Sequence, residues 1–492
     1  MKLSNKTIQA LENKEGVILP QYDRSNVVSG IMHMSIGGFH RSHQAVYVDD
    51  ILSKGNHKWG ICAVGLMPQD KENIEKLNAQ DTLYTVLERN AESDTARVVG
   101  SIIEAIHAPS SPQSVLERLS DETIKILSLT ITEKGYCYDS DNNLDQQNQL
   151  IGHDVQNLDA PKTALGYIVS GLKNRKDQNK KPFTVMSCDN LPGNGELTKK
   201  IVLQFAELVD AELSAWINDN VTFPNSMVDR ITPVTTDKII ETIKGKFDIE
   251  DSWPVVCEDY IQWILEDNFC NGRPPFDSAG VQVVADVDPY EKMKVRLLNG
   301  SHSALSYLSY LMGYREVDVA MNDPLLSKFV RAYMDHDITP TLPDVPGINL
   351  DEYKDTLIKR FANPAISDQV QRLAEDGSQK IPNAIIPCIE YQLKNKGSHK
   401  YIALALAGWI KYLSAIDEQG DKIEINDPLS DMLTAIAKSN LDNPKKFLEI
   451  EEIFSKEIAN HDGFVQLLSD TMAFLNENGA KASLQLVLSE SS

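Results

Sequence analysis

VVSGIMHMSIGGFHRSHQAVYVDDILSKG, residues 27–55, is the stretch whose reading decides the fold. It opens on a short apolar run, passes through the Gly37-Gly38 pair and continues at helical spacing, which predicts strand, glycine turn and helix. Outward from it, WGICAVGLM (59–67) reads as a second apolar strand, and TLYTVLER (82–89) and ARVVGSIIEAI (96–106) as β-rich segments. IKILSLTITEKGY (124–136) reads as one long buried strand. A polar loop (139–148) then leads to the helix-like ALGYIVSGLKNRK and the strand PFTVMSCDN (182–190). Apolar strands alternating with helical stretches predict a parallel, doubly wound α/β sheet.

The second half has another character. From about residue 290, KVRLLNGSHSALSYLSYLMGY, PLLSKFVRAYMDH, YIALALAGWIKYLSAI and DGFVQLLSDTMAFLNE carry helical periodicity, with few β-rich runs between them. A chain of 492 residues exceeds what one hydrophobic core supports, so two domains are expected: a Rossmann-type unit over 1–286 and a mostly α-helical unit over 287–492.

Composition removes whole classes of partner. Asp and Glu number 71 against 48 Lys and Arg, and the resulting charge of −23 repels phosphate backbones and anionic lipid. Neither nucleic acid nor a membrane surface is expected, while a small anion facing a local basic pocket is still permitted. The leader MKLSNKTIQALENKEG lacks the continuous apolar stretch of a signal peptide. YIALALAGWI (401–410) is too short for the roughly 20 apolar residues of a membrane span. A cytoplasmic protein, monomeric or a small homo-oligomer, is the expectation. The six cysteines are scattered without CxxC or zinc spacing, and read as buried thiols.

Five groups of residues could carry chemistry. The first is Ser35-Ile36-Gly37-Gly38-Phe39-His40-Arg41, between strand and helix, where glycines let the backbone approach a pyrophosphate and the helix start offers N–H groups. Ser35 stands where the G-x-G-x-x-G fingerprint has its first glycine. Asp70, after the second strand, is the nearest acidic partner for a ribose and tilts the reading toward NAD over NADP. Asp49 and Asp50, mid-helix, read as solvated.

The second group is Lys294-x4-Asn299-x2-His302. On one unbroken helix Asn299 and His302 share a face, and Lys294 lies roughly 80° from His302; alternatively Asn299-Gly300 breaks or caps the helix. A desolvated lysine can act as a general base, and an asparagine amide can polarise an oxygen without adding charge. Ser187-Cys188-Asp189-Asn190 at a strand end, Asp229-Arg230, and the cationic pair Arg372 and Lys380 complete the set. His40 and His43 have no third ligand near them in sequence, and HExxH, GxxxxGK[ST] and GxSxG are absent, so no metal site is expected.

With these residues in view the chain resembles the polyol-specific long-chain dehydrogenase/reductase family. The resemblance runs nearly its whole length, through IGGFHRSHQAVY, WGICAVGLMPQD, LSLTITEKGY, PFTVMSCDNLPGNG, FPNSMVDRITP, QWILEDNFCNGRPPF, KVRLLNGSHSAL and DGSQKIP. VVCEDYIQWILEDNF, GVQVVADVD and TPTLPDVPGINLDEY are most similar to the members acting on mannitol, whereas TEKGYC and DGSQKIP are also similar to fructuronate reductases.

The resemblance implies an N-terminal Rossmann-type domain, a helical C-terminal domain, a catalytic centre in the cleft between them, and metal-independent hydride exchange between NAD and a small polyol or ketose. It implies Lys294 as general acid/base, Asn190 and Asn299 as oxyanion pocket, His302 as substrate positioner, and Asp229, Arg372 and Lys380 as contacting the polyol or orienting the catalytic lysine, with Arg372 and Lys380 equally suited to a uronate carboxylate. The Gly37-Gly38-Phe39 turn, with Ser35, Ile36 and Arg41 beside it, is expected at the dinucleotide. The expected reaction is mannitol to fructose at C2. Fructuronate or tagaturonate reduction is the alternative within the family, and a non-catalytic dinucleotide-binding protein the alternative outside it.

Overall fold

The computed structural model describes residues 1–489. The chain divides into two compact units, the first Met1–Asp288 and the second beginning at Pro289.

The centre of the first unit is a five-stranded parallel sheet. Its strands are β1 (Ser29–Met34), β2 (Gly60–Gly65), β5 (Ile102–His107), β6 (Ile126–Leu129) and β7 (Thr184–Ser187), in the order β5-β2-β1-β6-β7. Successive side chains of a strand face opposite ways, and the core shows it directly. Met32, Met34, Cys62, Val64, Leu127, Leu129 and Val185 join one apolar cluster, while Ile31, Ile61, Ala63, Ile126 and Met186 join the other. The first cluster is closed by α4 (Pro112–Leu119), α5 (Ala164–Asp177) and α6 (Asn194–Val209). The second is closed by α2 (Gln44–Ser53) and α3 (Lys71–Asn78). Apolar residues on both faces of every strand are what a sheet covered on both sides requires.

Two segments depart from the sequence reading. TLYTVLER and the first part of ARVVGSIIEAI do not join the parallel sheet: β3 (Tyr84–Arg89) and β4 (Asp94–Val99) pair antiparallel in a second sheet, completed by Val17–Ile18 and β9 (Val255–Glu258). IKILSLTITEKGY is not one long strand. After Leu129 the chain turns into the short helix Thr132–Gly135, with Thr132 at φ 59°, because the backbone N–H groups of Ile131 and Thr132 donate to the Asp189 carboxylate at 3.0 and 2.8 Å. A third sheet holds β8 (Ser226–Asp229), β10 (Gln262–Glu266) and β11 (Gln282–Val284).

The second unit is helical. A continuous helical run comprises α7 (Asp288–Lys294), a π-helical turn (Val295–Asn299) and α8 (Gly300–Leu311). α8 is buried along nearly all its length against α13 (Lys400–Tyr412) and the short helix α11 (Val370–Ala374). α13 contains YIALALAGWI, whose apolar residues on every side mark it as a core helix. α14 (Asp462–Ser489), kinked at Gly479, packs on α13. The helices α9 (Pro324–Ala332), α10 (Leu350–Phe361) and α12 (Gly377–Ala384) are among the others of this unit. Each fully buried Leu or Ile in these layers contributes about 1.5–3 kcal/mol.

Among the described residues no helix is long and apolar enough to cross a membrane, and no group of three or more His, Cys, Asp and Glu could hold a metal ion. All six cysteines are free. Cys62, Cys188, Cys257 and Cys388 are buried, and Cys137 and Cys270 are half-buried.

Candidate active site

In the first unit the candidate residues gather at the carboxyl ends of strands, where open α/β sheets bind ligands. Leaving β1, the Ser35 N–H donates to the Val64 carbonyl of β2 at 2.9 Å, so the glycine turn starts against the end of the neighbouring strand. Ser35 has φ 75°, a left-handed conformation that glycine adopts without cost and other residues with strain. Its carbonyl accepts from Thr130 Oγ1 at 2.9 Å and lies 3.2 Å from His33 Nε2. His33 is fully buried, with Nδ1 at 2.8 Å from Ser128 Oγ and its ring stacked on His40 at 3.4 Å. Burial pushes the His33 pKa down to about 3, and His40 also falls well below the usual histidine range. These neutral rings form the floor of the turn. His40 lies within the Ser35–Arg41 motif, but no motif marks His33; a polar residue on an otherwise apolar strand was the available signal there.

Gly37 is exposed, and a Cβ placed on it would meet nothing within 4 Å. On Gly38 the nearest atom would be Thr232 Cγ2 at 3.5 Å. The backbone at the start of α1 (Gly38–Ser42) therefore faces open space.

Asp70 follows β2. Its Oδ2 accepts from the Met67 N–H at 2.9 Å, and its Cβ lies 2.8 Å from where a Cβ on Gly65 would be, so only glycine fits there. Asn190 is exposed just beyond β7. Asp229, at the end of β8, is 6% exposed. β7 and β8 are stitched together: Ser226 Oγ donates to the Ser187 carbonyl at 2.6 Å, and Asn194 Nδ2 donates to the carbonyls of Asp189 and Ser226.

Two residues expected at the dinucleotide, and one expected to be solvated, have buried side chains. Arg41, expected at the dinucleotide, is buried: its guanidinium stacks on Trp253 at 3.6 Å and donates to the Trp253 carbonyl. Ile36 is 4% exposed and belongs to the core, leaving only its backbone for a ligand. Asp49 is not solvated. It is 2% exposed and accepts from Tyr22 Oη at 2.6 Å, the Gly100 N–H at 3.0 Å and Arg97 at 2.9 Å; Arg97 also pairs with Asp50. Asp189 and Arg230 are likewise structural. Asp189 accepts from Tyr136 Oη at 2.7 Å, and Arg230 donates to the carbonyls of Glu258 and Ser42. Phe39 is half-buried and stacks on His43 at 4.9 Å.

In the second unit Asn299-Gly300 does not break the helix: both residues keep helical angles, φ −68° and −61°. Instead the π turn Val295–Asn299 directly follows Lys294. A π turn lengthens the hydrogen-bonded loop by one residue, so the helix advances about 100° less across it than an α-helix would. By that arithmetic Asn299 and His302, roughly 140° and 80° from Lys294 on an ideal helix, come to roughly 40° and −20°. By this ideal-helix arithmetic the three positions come toward one face. Lys294 is 6% exposed, and Asn299 and His302 are half-buried.

Neighbouring elements fix this face. Arg296 Nη1 donates to the Thr341 carbonyl at 2.6 Å, anchoring the π turn. A Cβ on Gly300 would lie 2.8 Å from Tyr333 Oη, with the next atoms at 3.7 and 3.8 Å. Tyr333 opens a second π turn (Tyr333–Ile338), and its buried hydroxyl has no hydrogen-bond partner among the described residues. The His302 ring packs on Phe361 at 4.8 Å. Desolvation, followed by the Arg372, Lys380 and Arg360 cations, pushes its pKa down to about 3 against the opposing Asp368 carboxylate, so the ring is neutral near pH 7.

Arg372, on α11, donates through Nε to Asp368 Oδ1 at 2.7 Å and through Nη2 to Asp368 Oδ2. Lys380, on α12, donates to the Leu373 carbonyl at 3.4 Å; burial, aided by Arg372, lowers its pKa.

Comparison with known proteins agrees with both units. Residues 29–278 match the mannitol dehydrogenase Rossmann domain, and residues 286–475 the mannitol dehydrogenase C-terminal domain. Mannitol dehydrogenase 2 of Saccharomyces cerevisiae is 42% identical, over 99% of this chain and 98% of the relative. Mannitol 2-dehydrogenase of Pyricularia oryzae is 39% identical, over 98% of each. The ternary complex of Pseudomonas fluorescens mannitol 2-dehydrogenase with NAD and D-mannitol superposes with TM-score 0.87 at 42% identity, covering 99% of this chain and all of that one. A D-sorbitol dehydrogenase in substrate-free form superposes with TM-score 0.93 at 36% identity, covering 98% and 100%. The chain belongs to the mannitol dehydrogenase family and is a polyol dehydrogenase, an oxidoreductase built from that family's Rossmann and C-terminal domains.

Proposed function

We propose that the protein is an NAD-dependent mannitol 2-dehydrogenase that interconverts D-mannitol and D-fructose, with Lys294 as the acid/base. What supports this reading is the buried Lys294 directly before a π turn, which by ideal-helix arithmetic brings positions 299 and 302 toward its own face. Similarity to mannitol 2-dehydrogenases over nearly the full chain, including one crystallised with NAD and D-mannitol, supports the substrate and cofactor.

The turn at Gly37-Gly38 fits a dinucleotide, because its backbone is open where a side chain would intrude. Asp70, at the end of β2, suits a ribose hydroxyl and opposes a 2′-phosphate. When bound, NAD supplies the acceptor for the C2 hydride of mannitol.

The chain's own residues do the rest. Lys294 accepts the proton of the C2 hydroxyl and returns it in the reverse direction. The Asn190 and Asn299 amides donate to the oxygen as negative charge develops there, stabilising it without a competing formal charge. His302, uncharged, and Asp229 hold hydroxyls along the polyol, with Arg372 and Lys380 completing the substrate contacts.

The test is to follow NADH consumption with fructose, fructuronate and tagaturonate in parallel. Turnover of fructose well above both uronates is expected. Turnover of fructuronate alone would replace the polyol by a sugar acid, and binding of NADH without turnover of any of the three would point to a non-catalytic protein.

A further inference from the structure

What separates a neutral polyol from a sugar acid here is the state of Arg372. An arginine whose planar fork is open takes a carboxylate through two parallel hydrogen bonds, the geometry that makes it the usual carboxylate receptor. Arg372 has that fork closed by its own chain: Nε and Nη2 both donate to Asp368, four residues earlier. The Asp368 side chain is 13% exposed and that of Arg372 58%, so the carboxylate is the more buried of the two and the guanidinium the more open. Lys380, the other cation of the pair, is partly buried and donates to a backbone carbonyl.

We propose that Asp368 is a specificity-determining residue, which fills the Arg372 fork with an internal carboxylate so that this end of the site receives a hydroxyl and turns away a carboxylate. The inference rests on Arg372 being a substrate contact, as proposed for the mannitol reaction. A hydroxyl needs only one N–H from the outer edge of Arg372. A substrate carboxylate would have to displace Asp368 or lie beside it, placing two anions on one guanidinium. Discrimination by a built-in repulsive group costs little for the accepted ligand and much for the refused one.

Asp368→Asn keeps the shape and one acceptor but removes the charge. In the full-length enzyme with NADH, it is expected to tighten competitive inhibition by D-gluconate and to raise the fructuronate-to-fructose ratio of kcat/KM, each by roughly 10-fold to 100-fold, the scale of one additional charge-assisted hydrogen bond. Asp368→Glu, which retains the charge, is expected to show neither increase. An Asp368→Asn enzyme no more receptive to gluconate than wild type, or an Asp368→Glu enzyme that becomes equally receptive, overturns the proposal.

Adding Arg372→Gln to Asp368→Asn tests where the gain comes from. If it comes from the opened fork, the double variant returns gluconate binding to within about threefold of wild type; a double variant that keeps the gain overturns the proposal. Gluconate binding read by calorimetry needs no turnover. Wild-type enzyme inert toward fructose would therefore overturn the polyol reading, while the binding comparison decides the role of Asp368 separately.

Discussion

The glycine turn of the first unit and the Lys294 helix of the second present their chemistry in opposite ways. At the turn the side chains retreat. Ile36 enters the core, Arg41 stacks on Trp253, and what faces outward is backbone around Gly37 and Gly38. On the helix the backbone is hydrogen-bonded within the helix, and a π turn after Lys294 shifts Asn299 and His302, by ideal-helix arithmetic, toward the lysine's face. A site for a phosphate-bearing dinucleotide can be made of N–H groups whose identity is nearly sequence-independent. Proton transfer needs a titratable side chain at a fixed place. The two sites thus tolerate different substitutions, and that contrast can be broken experimentally.

The largest effect is expected on the helix. Lys294→Ala should lower turnover by roughly 10²–10⁴-fold while leaving NADH binding, read by fluorescence, within experimental scatter. Asn299→Ala should cost roughly 10²–10³ in kcat. A Lys294→Ala enzyme with near-native turnover would end the assignment of the helix as the chemical half.

Next comes the packing that holds the π turn. Gly300→Ala forces a methyl against Tyr333 Oη and should destabilise by about 1–3 kcal/mol, with a fall in kcat larger than any change in NADH affinity. Adding Tyr333→Phe removes the colliding oxygen and should restore most of both. If the double variant is no better than Gly300→Ala, the close approach is not what positions the helix.

The floor of the turn makes a pH prediction. His33 and His40 are held neutral by burial, with the folded pKa of His33 about 3 and that of His40 well depressed, against 6.5 for a free histidine. Below pH 6.5 the unfolded chain therefore binds protons that the folded chain does not, and stability falls as pH falls. The slope is about 1.4 kcal/mol per pH unit for each histidine. The buried Asp189 and Asp251, whose pKa values burial raises, act in the opposite sense. Urea midpoints at pH 7.0, 6.0 and 5.0 should decline progressively, and a flat profile would show that these rings are not desolvated.

The smallest effect lies at Ser35. Ser35→Gly relieves the strain of φ 75° and should stabilise by up to about 1 kcal/mol, with NADH affinity equal to or a few-fold above wild type. A loss of stability would mean that the serine side chain contributes an interaction outweighing the strain.

Much of this was legible in the sequence for identifiable reasons. Strand, glycine turn and helix follow from period and composition, and the alternation of Ile31, Met32 and Met34 between two cores is what an apolar run bounded by turn residues predicts. Lys294, Asn299 and His302 could be nominated from residue type, but an ideal helix spreads them, and the π turn that gathers them has no signature in VRLLN. Basic residues beside a glycine turn fit either an anion or an aromatic shelf, and Trp253, on which Arg41 stacks, is more than two hundred positions away. The length assigned to the strand at 124–136 failed for the same reason: its end is set by Asp189, a distant carboxylate that captures two backbone N–H groups. The closed fork of Arg372 is a local i,i+4 pair, readable in principle from SDQVQR once the helix boundary is known.

The most direct measurement is to incubate wild-type enzyme with D-mannitol and NAD and identify the product by NMR while NADH is quantified. Fructose and NADH in equal amounts are expected, with formation of both slowed roughly 10²–10⁴-fold by Lys294→Ala. An aldose product, no NADH, or an unaffected Lys294→Ala enzyme would contradict oxidation at C2 by a lysine acid/base.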